Sequence, residues 1–106
     1  MPVTLTLEEL RQLIGDKQGL SHSFKVGQKY LIRTVTLYYT GLLTSVTDTD
    51  FVLSQAAWIA DTGRFYDCLK KGTFNEVEPF IQDVIIPRGC IIDATIWEHD
   101  LPKEQK

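Results

Sequence analysis

The chain has 106 residues, 43% of them hydrophobic, and its 14 acidic and 11 basic side chains leave a net charge of −3. That length specifies one domain, the apolar content excludes a disordered chain, and the acidic balance argues against a dedicated nucleic-acid binder, whose affinity rests on cations meeting phosphates. No apolar run approaches the roughly 18 residues of a membrane span, and Met1 to Leu10 lacks the basic-then-apolar order of a secretory signal, so a cytoplasmic location is expected.

The first element is a helix over residues 6–15. Thr6-Leu7-Glu8-Glu9 fits a capping box, in which the Thr6 hydroxyl accepts from the Glu9 amide and the Glu9 carboxylate accepts from the Thr6 amide. Leu5 and Leu10 serve as the hydrophobic staple. Leu7, Leu10, Leu13 and Ile14 form one apolar stripe, and Gly15 ends it. A polar stretch follows from Asp16 to Lys29.

From Tyr30 the pattern becomes that of a strand. Leu31, Val35, Leu37 and Tyr39 alternate on one face, with no turn evident between Ile32 and Gly41. At Gly41 the phase slips: Leu43 keeps the odd parity and Val46 falls on the even one, as expected of a bulge or sharp bend. Asp48-Thr49-Asp50 reads as a turn, and Phe51-Val52-Leu53 opens a strand running to about Ile59.

A short inserted helix is expected over about 62–71. Asp61 or Thr62 would cap it, Phe65, Cys68 and Leu69 would share a face, and Lys70, Lys71 and Gly72 would end it. Residues Thr73 to Phe80 read as a connector. Two short strands follow, Val84 to Ile86 and Cys90 to Trp97, joined by a tight Pro87-Arg88-Gly89 turn in which Gly89 supplies unusual backbone angles. Both are apolar on each face, which requires burial on both sides or by a partner subunit. The polar tail 99–106 is expected to fray. The barrel strands thus lie within 30–60 and 82–98, in a mostly β chain that would close into a small barrel to remove exposed edges.

A chain of this size buries only about 60–68% of its unfolded surface, so an intersubunit contact would add to a modest core. Cys68 and Cys90 are expected to be reduced rather than bridged, and neither they nor His22 and His99 show metal-ligand spacing; no metal or cofactor is expected. Asp48 and Asp50 read as turn formers in preference to cation ligands. Ala60-Asp61-Thr62-Gly63 carries the triplet of retroviral-type aspartic proteases, in which two subunits share a proton between paired aspartates. Arg64 follows where those enzymes need a small residue, and the favoured role of Asp61 is structural.

Two segments carry a wider resemblance. Gly41-Leu42-Leu43-Thr44-Ser45-Val46-Thr47-Asp48 with Asp50-Phe51-Val52-Leu53 is similar to the first signature of the Sm-like family, the ring-forming small barrels of Sm and Hfq type. Val84-Ile85-Ile86-Pro87-Arg88-Gly89-Cys90-Ile91-Ile92 resembles the second, a hydrophobic strand, an Arg-Gly turn and another strand. The likeness spans residues 5–98, and the stretch Trp58 to Phe80 resembles small phage-associated and marine environmental proteins of this fold.

The resemblance implies a five-stranded bent barrel with an N-terminal helix, assembled with copies of itself into a closed ring. It implies no catalysis. RNA is the implied partner, in a phage or bacterial RNA transaction, with Thr49, Asp50, Arg88 and Gly89 at the positions of the family's base pocket. Thr49 stands where the family stacks a base and Asp50 where it reads one with Asn; an ionised Asp offers acceptors only. The implied subunit contacts involve Phe51, Leu53, Ile92, Ile96 and Trp97. A homo-oligomeric protein scaffold without nucleic acid is the alternative.

Overall fold

The computed structural model describes residues 23–106, so the helix expected over 6–15 and the position of His22 lie outside the described residues. Six strands and one α-helix follow in the order β1 (Lys29–Thr34), β2 (Tyr38–Val46), β3 (Asp50–Asp61), α1 (Phe65–Lys71), β4 (Glu76–Pro79), β5 (Val84–Pro87) and β6 (Ile91–Ile96). They form one antiparallel sheet in the order β4-β3-β2-β1-β6, with β5 also on β3. The long β3 explains this branching: Asp50–Leu53 pairs with β5, and Ala57–Asp61 pairs with β4. The sheet is open, because β5 and β6 pair with β3 and β1 but not with each other.

The stretch Ile32 to Gly41, where the sequence shows no evident turn, contains the β1–β2 hairpin. Its loop, Val35-Thr36, has neither Gly nor Pro, and Thr34 does their work. The Thr34 hydroxyl donates to Leu37 O at 2.7 Å and accepts from Leu37 N at 3.0 Å, while Thr34 N donates to the same carbonyl at 2.8 Å. Thr34→Val keeps the shape and removes the hydroxyl. It is expected to cost about 1–2 kcal/mol, because Thr34 is buried and the Leu37 amide loses an acceptor. An unchanged urea midpoint would contradict this.

Two bulges shape the β2–β3 ladder. From Thr40 to Leu42 the partner runs from Ala57 back to Ser54, so β3 carries an extra residue opposite Gly41; from Leu43 to Ser45 the partner moves only from Leu53 to Val52, so β2 carries the next one. One inserted residue exchanges the faces of a strand. Phe51 and Leu53 therefore enter one core with Tyr30, Ile32, Leu43 and Ile86, while Ala57 and Ile59 enter a second with Leu31, Cys68, Phe74, Val77 and Trp97. Gly41 permits the close approach: a Cβ there would lie 2.9 Å from Leu53 Cβ and 3.3 Å from Ala56 Cα.

The second core is roofed by α1 and by the segment after β6. Gly72 ends α1 in the left-handed conformation, φ 71°, and returns its N–H to Cys68 O. The N-cap is Arg64, with no side-chain cap bond, so neither Asp61 nor Thr62 caps the helix. Asp61 acts earlier: its Oδ1 accepts from Gly63 N at 2.8 Å and closes the turn that leaves β3. Residues read as a connector contain β4, whose only buried side chain is Val77; four residues with a Pro and two exposed Glu leave little alternation to detect.

The expected frayed tail is docked. Trp97 stacks on Phe74 with ring centroids 5.2 Å apart, and its Nε1–H donates to Asp100 O. His99 Nε2 bonds Leu69 O at 2.8 Å, Leu101 packs on the second core, and Lys106 exchanges both backbone hydrogen bonds with Val77. A polar composition hides such docking, because backbone pairing and the single apolar Leu101 do most of it.

Candidate functional site

The residues Thr49, Asp50, Arg88 and Gly89 come together at one end of the sheet. The β2–β3 turn is organised by Thr47, which sequence patterns do not single out. Thr47 Oγ1 accepts from Thr49 N at 3.3 Å and Asp50 N at 3.0 Å, while Thr47 N donates to Asp50 O at 2.9 Å. A hydroxyl accepting from amides two and three residues ahead fixes a tight turn without glycine. Asp48 and Thr49 stand exposed at its tip.

The β3–β5 register sets Asp50 opposite Pro87 and so delivers Arg88 to this turn. Arg88 N donates to Thr49 O at 2.9 Å, and Arg88 Nη1 donates to Thr47 O at 2.8 Å across 41 residues of sequence. The remaining guanidinium N–H groups have no protein partner among the described residues and can receive an anion. Arg88 is half-buried, whereas Gly89 is exposed within a 3-10 turn, Arg88–Cys90. Gly89 has no left-handed φ, and a Cβ on it would meet nothing within 4 Å. Its expected role in supplying unusual angles is therefore corrected; Gly89 is not conformationally required in the subunit.

The charge at this turn is mixed. Asp48 and Asp50 make no ion pair among the described residues and accompany the single cation Arg88. The resulting local charge does not by itself gather phosphates.

The five expected contact residues separate into two groups. Phe51, Leu53 and Trp97 are core side chains, Trp97 only 1% exposed, and cannot meet a neighbouring subunit. Ile92 and Ile96 are 56% and 52% exposed, and Ile85, which was not among the expected contacts, is 66% exposed. Alternation identifies apolar faces but does not distinguish those filled by the chain itself. Ile85 lies on β5 and Ile92 and Ile96 on β6; these two strands, like β4, pair with a strand on one side only among the described residues. Arg33 and Asp93 pair across β1–β6 through Arg33 Nε and Nη2, and the hydrogen bond and charge of Asp93 hold the guanidinium more firmly protonated.

Neither a protein-family model nor a curated protein matches this chain. Both cysteines are free thiols: burial pushes the Cys68 thiol pKa up, and Cys90 is exposed beside the Arg88 turn. Among the described residues no three His, Cys, Asp or Glu side chains converge as a metal site, and no helix is long and apolar enough to cross a membrane. Asp61, of the protease-like triplet, is exposed and occupied with its own turn.

Proposed function

We propose that this chain is a non-catalytic Sm-like subunit that closes into a homo-oligomeric ring and presents the Arg88 turn to RNA. One observation carries the reading: β5 and β6 each keep an outer edge with no partner strand among the described residues and bear the exposed Ile85, Ile92 and Ile96. An edge of β5 on one copy can continue into β6 of the next, and repeating that contact around a ring leaves neither of these two edges free. The curled sheet supports a barrel, since Ile86 of β5 and Ile91 and Ala94 of β6 pack on the same core from its two ends. The 3-10 turn between those strands repeats in every subunit and would set a circle of Arg88 side chains on one ring face.

Multiplication of one weak cation by ring symmetry is what would let an acidic chain hold RNA. Anisotropy of labelled oligo-U and oligo-A across a salt series is expected to show saturable binding that weakens with salt. Arg88→Ala removes the whole circle and should lower affinity by at least about 10²-fold, with the salt slope falling by about 1 for each Arg–phosphate pair lost. Loosening of the Thr47 turn alone would leave that slope intact. A flat titration of the wild-type ring removes RNA and leaves a protein scaffold, the second reading, which the unpaired Asp48 and Asp50 beside Arg88 favour.

A further inference from the structure

Gln55 is the one non-glycine residue with a positive φ, 49°, among the described residues. It occupies the β3 bulge opposite Gly41, where glycine would meet the backbone requirement without steric cost. Its side chain is exposed, and its amide bonds nothing among the described residues. The positive φ belongs to the bulge that exchanges the faces of β3, but the bulge needs no glutamine side chain, and the exposed amide is available to a ligand.

The surroundings form a site for one. Gln55 lines a cavity of about 650 Å³ with Lys29, Asp100, Leu101, Lys103 and Glu104. A second cavity of about 290 Å³ shares Gln55, Leu101 and Lys103, so the segment after β6 bridges the space. That segment is pinned on both sides. Lys29 Nζ donates to His99 O at 2.6 Å, and Lys106 N and O bond Val77 at 2.9 and 3.0 Å. Between these points Pro102, Lys103 and Glu104 make no hydrogen bond among the described residues. None of Lys29, Asp100, Lys103 and Glu104 forms an ion pair there, although charges of both signs line one cavity.

We propose that this cavity is a binding site for a small zwitterion of the α-amino-acid class. The ligand carboxylate would take Lys103 and the Gln55 amide N–H, and its ammonium would take the carboxylates of Asp100 and Glu104. Two cations and two anions disfavour a ligand of one sign, and the Gln55 amide adds a donor and an acceptor. Such a site would operate whether or not the chain forms a ring or holds RNA.

Saturation-transfer NMR of the full chain with the free amino acids, one at a time, tests it, with acetate and methylamine as single-charge arms. At least one amino acid is expected to bind saturably at millimolar concentration or tighter, and neither acetate nor methylamine should reproduce the signal. Gln55→Gly is expected to weaken that binding at least tenfold while its melting temperature stays equal or rises, because the left-handed strain is relieved. Lys103→Gln, a surface change, should weaken it as well. The proposal is overturned if no amino acid binds, if acetate or methylamine binds equally well, or if Gln55→Gly leaves the affinity unchanged.

Discussion

Gly72→Ala is expected to lower the melting temperature by roughly 10–20 °C, reflecting a loss of about 2–4 kcal/mol. Two costs combine. At φ 71° an alanine loses the conformational advantage of glycine, about 1 kcal/mol. The added Cβ would also lie 2.5 Å from His99 Cγ, 2.7 Å from its Cβ and 2.9 Å from its Nδ1. The imidazole cannot easily withdraw, because Nε2 bonds Leu69 O and the ring meets Trp97 edge-on at 4.9 Å. Relieving the clash means undocking His99 from α1, and with it the roof of the second core. A double-mutant cycle with His99→Gly separates the two costs. Coupling of at least about 1 kcal/mol is expected, since the clash vanishes in the double variant. Additive losses would show that His99 does not confine Gly72.

The same contact shows what was legible. A helix stop at Lys70-Lys71-Gly72 can be read because glycine in the left-handed region and cations near a helix C-terminus act locally. That His99 lies against this stop cannot be read, because no local rule links residues 27 positions apart. The Val35-Thr36 loop was hidden for another reason: its turn is closed by the Thr34 hydroxyl, while Thr and Val both score as strand formers. The phase slip at Gly41 was visible as a change of parity, but the strained Gln55 opposite it carried no signal, since nothing about glutamine favours positive φ. Periodicity likewise could not bring Arg88 to Thr47. That juxtaposition was expected only through the Sm-like resemblance, and physically it follows from the β3–β5 register. The core assignments of Phe51, Leu53 and Trp97 depend on which face each bulge turns inward, a tertiary property.

If the chain forms the proposed ring, Ile85→Asp and Ile92→Asp are each expected to leave it monomeric, and mixing them distinguishes how the edges meet. In a head-to-tail ring every contact joins β5 of one copy to β6 of the next, so either substitution damages every contact. Each isoleucine contributes about 1.5–3 kcal/mol when fully buried, and an unpaired aspartate in the seam adds several more, together a weakening of at least about 10³-fold. Both side chains are exposed in the subunit, so the fold itself should tolerate them, with an unchanged circular dichroism spectrum. In an equimolar mixture one intact seam remains, formed by β5 of the Ile92→Asp chain and β6 of the Ile85→Asp chain. Its product has damaged edges at both ends and cannot grow, so light scattering should register a heterodimer and nothing larger. A two-fold contact between like edges behaves differently: Ile92→Asp would remain dimeric through β5, or Ile85→Asp through β6, and mixing would add no new species. A wild-type chain that stays monomeric at micromolar concentration would remove both geometries, and with them the ring on which multiplication of Arg88 depends.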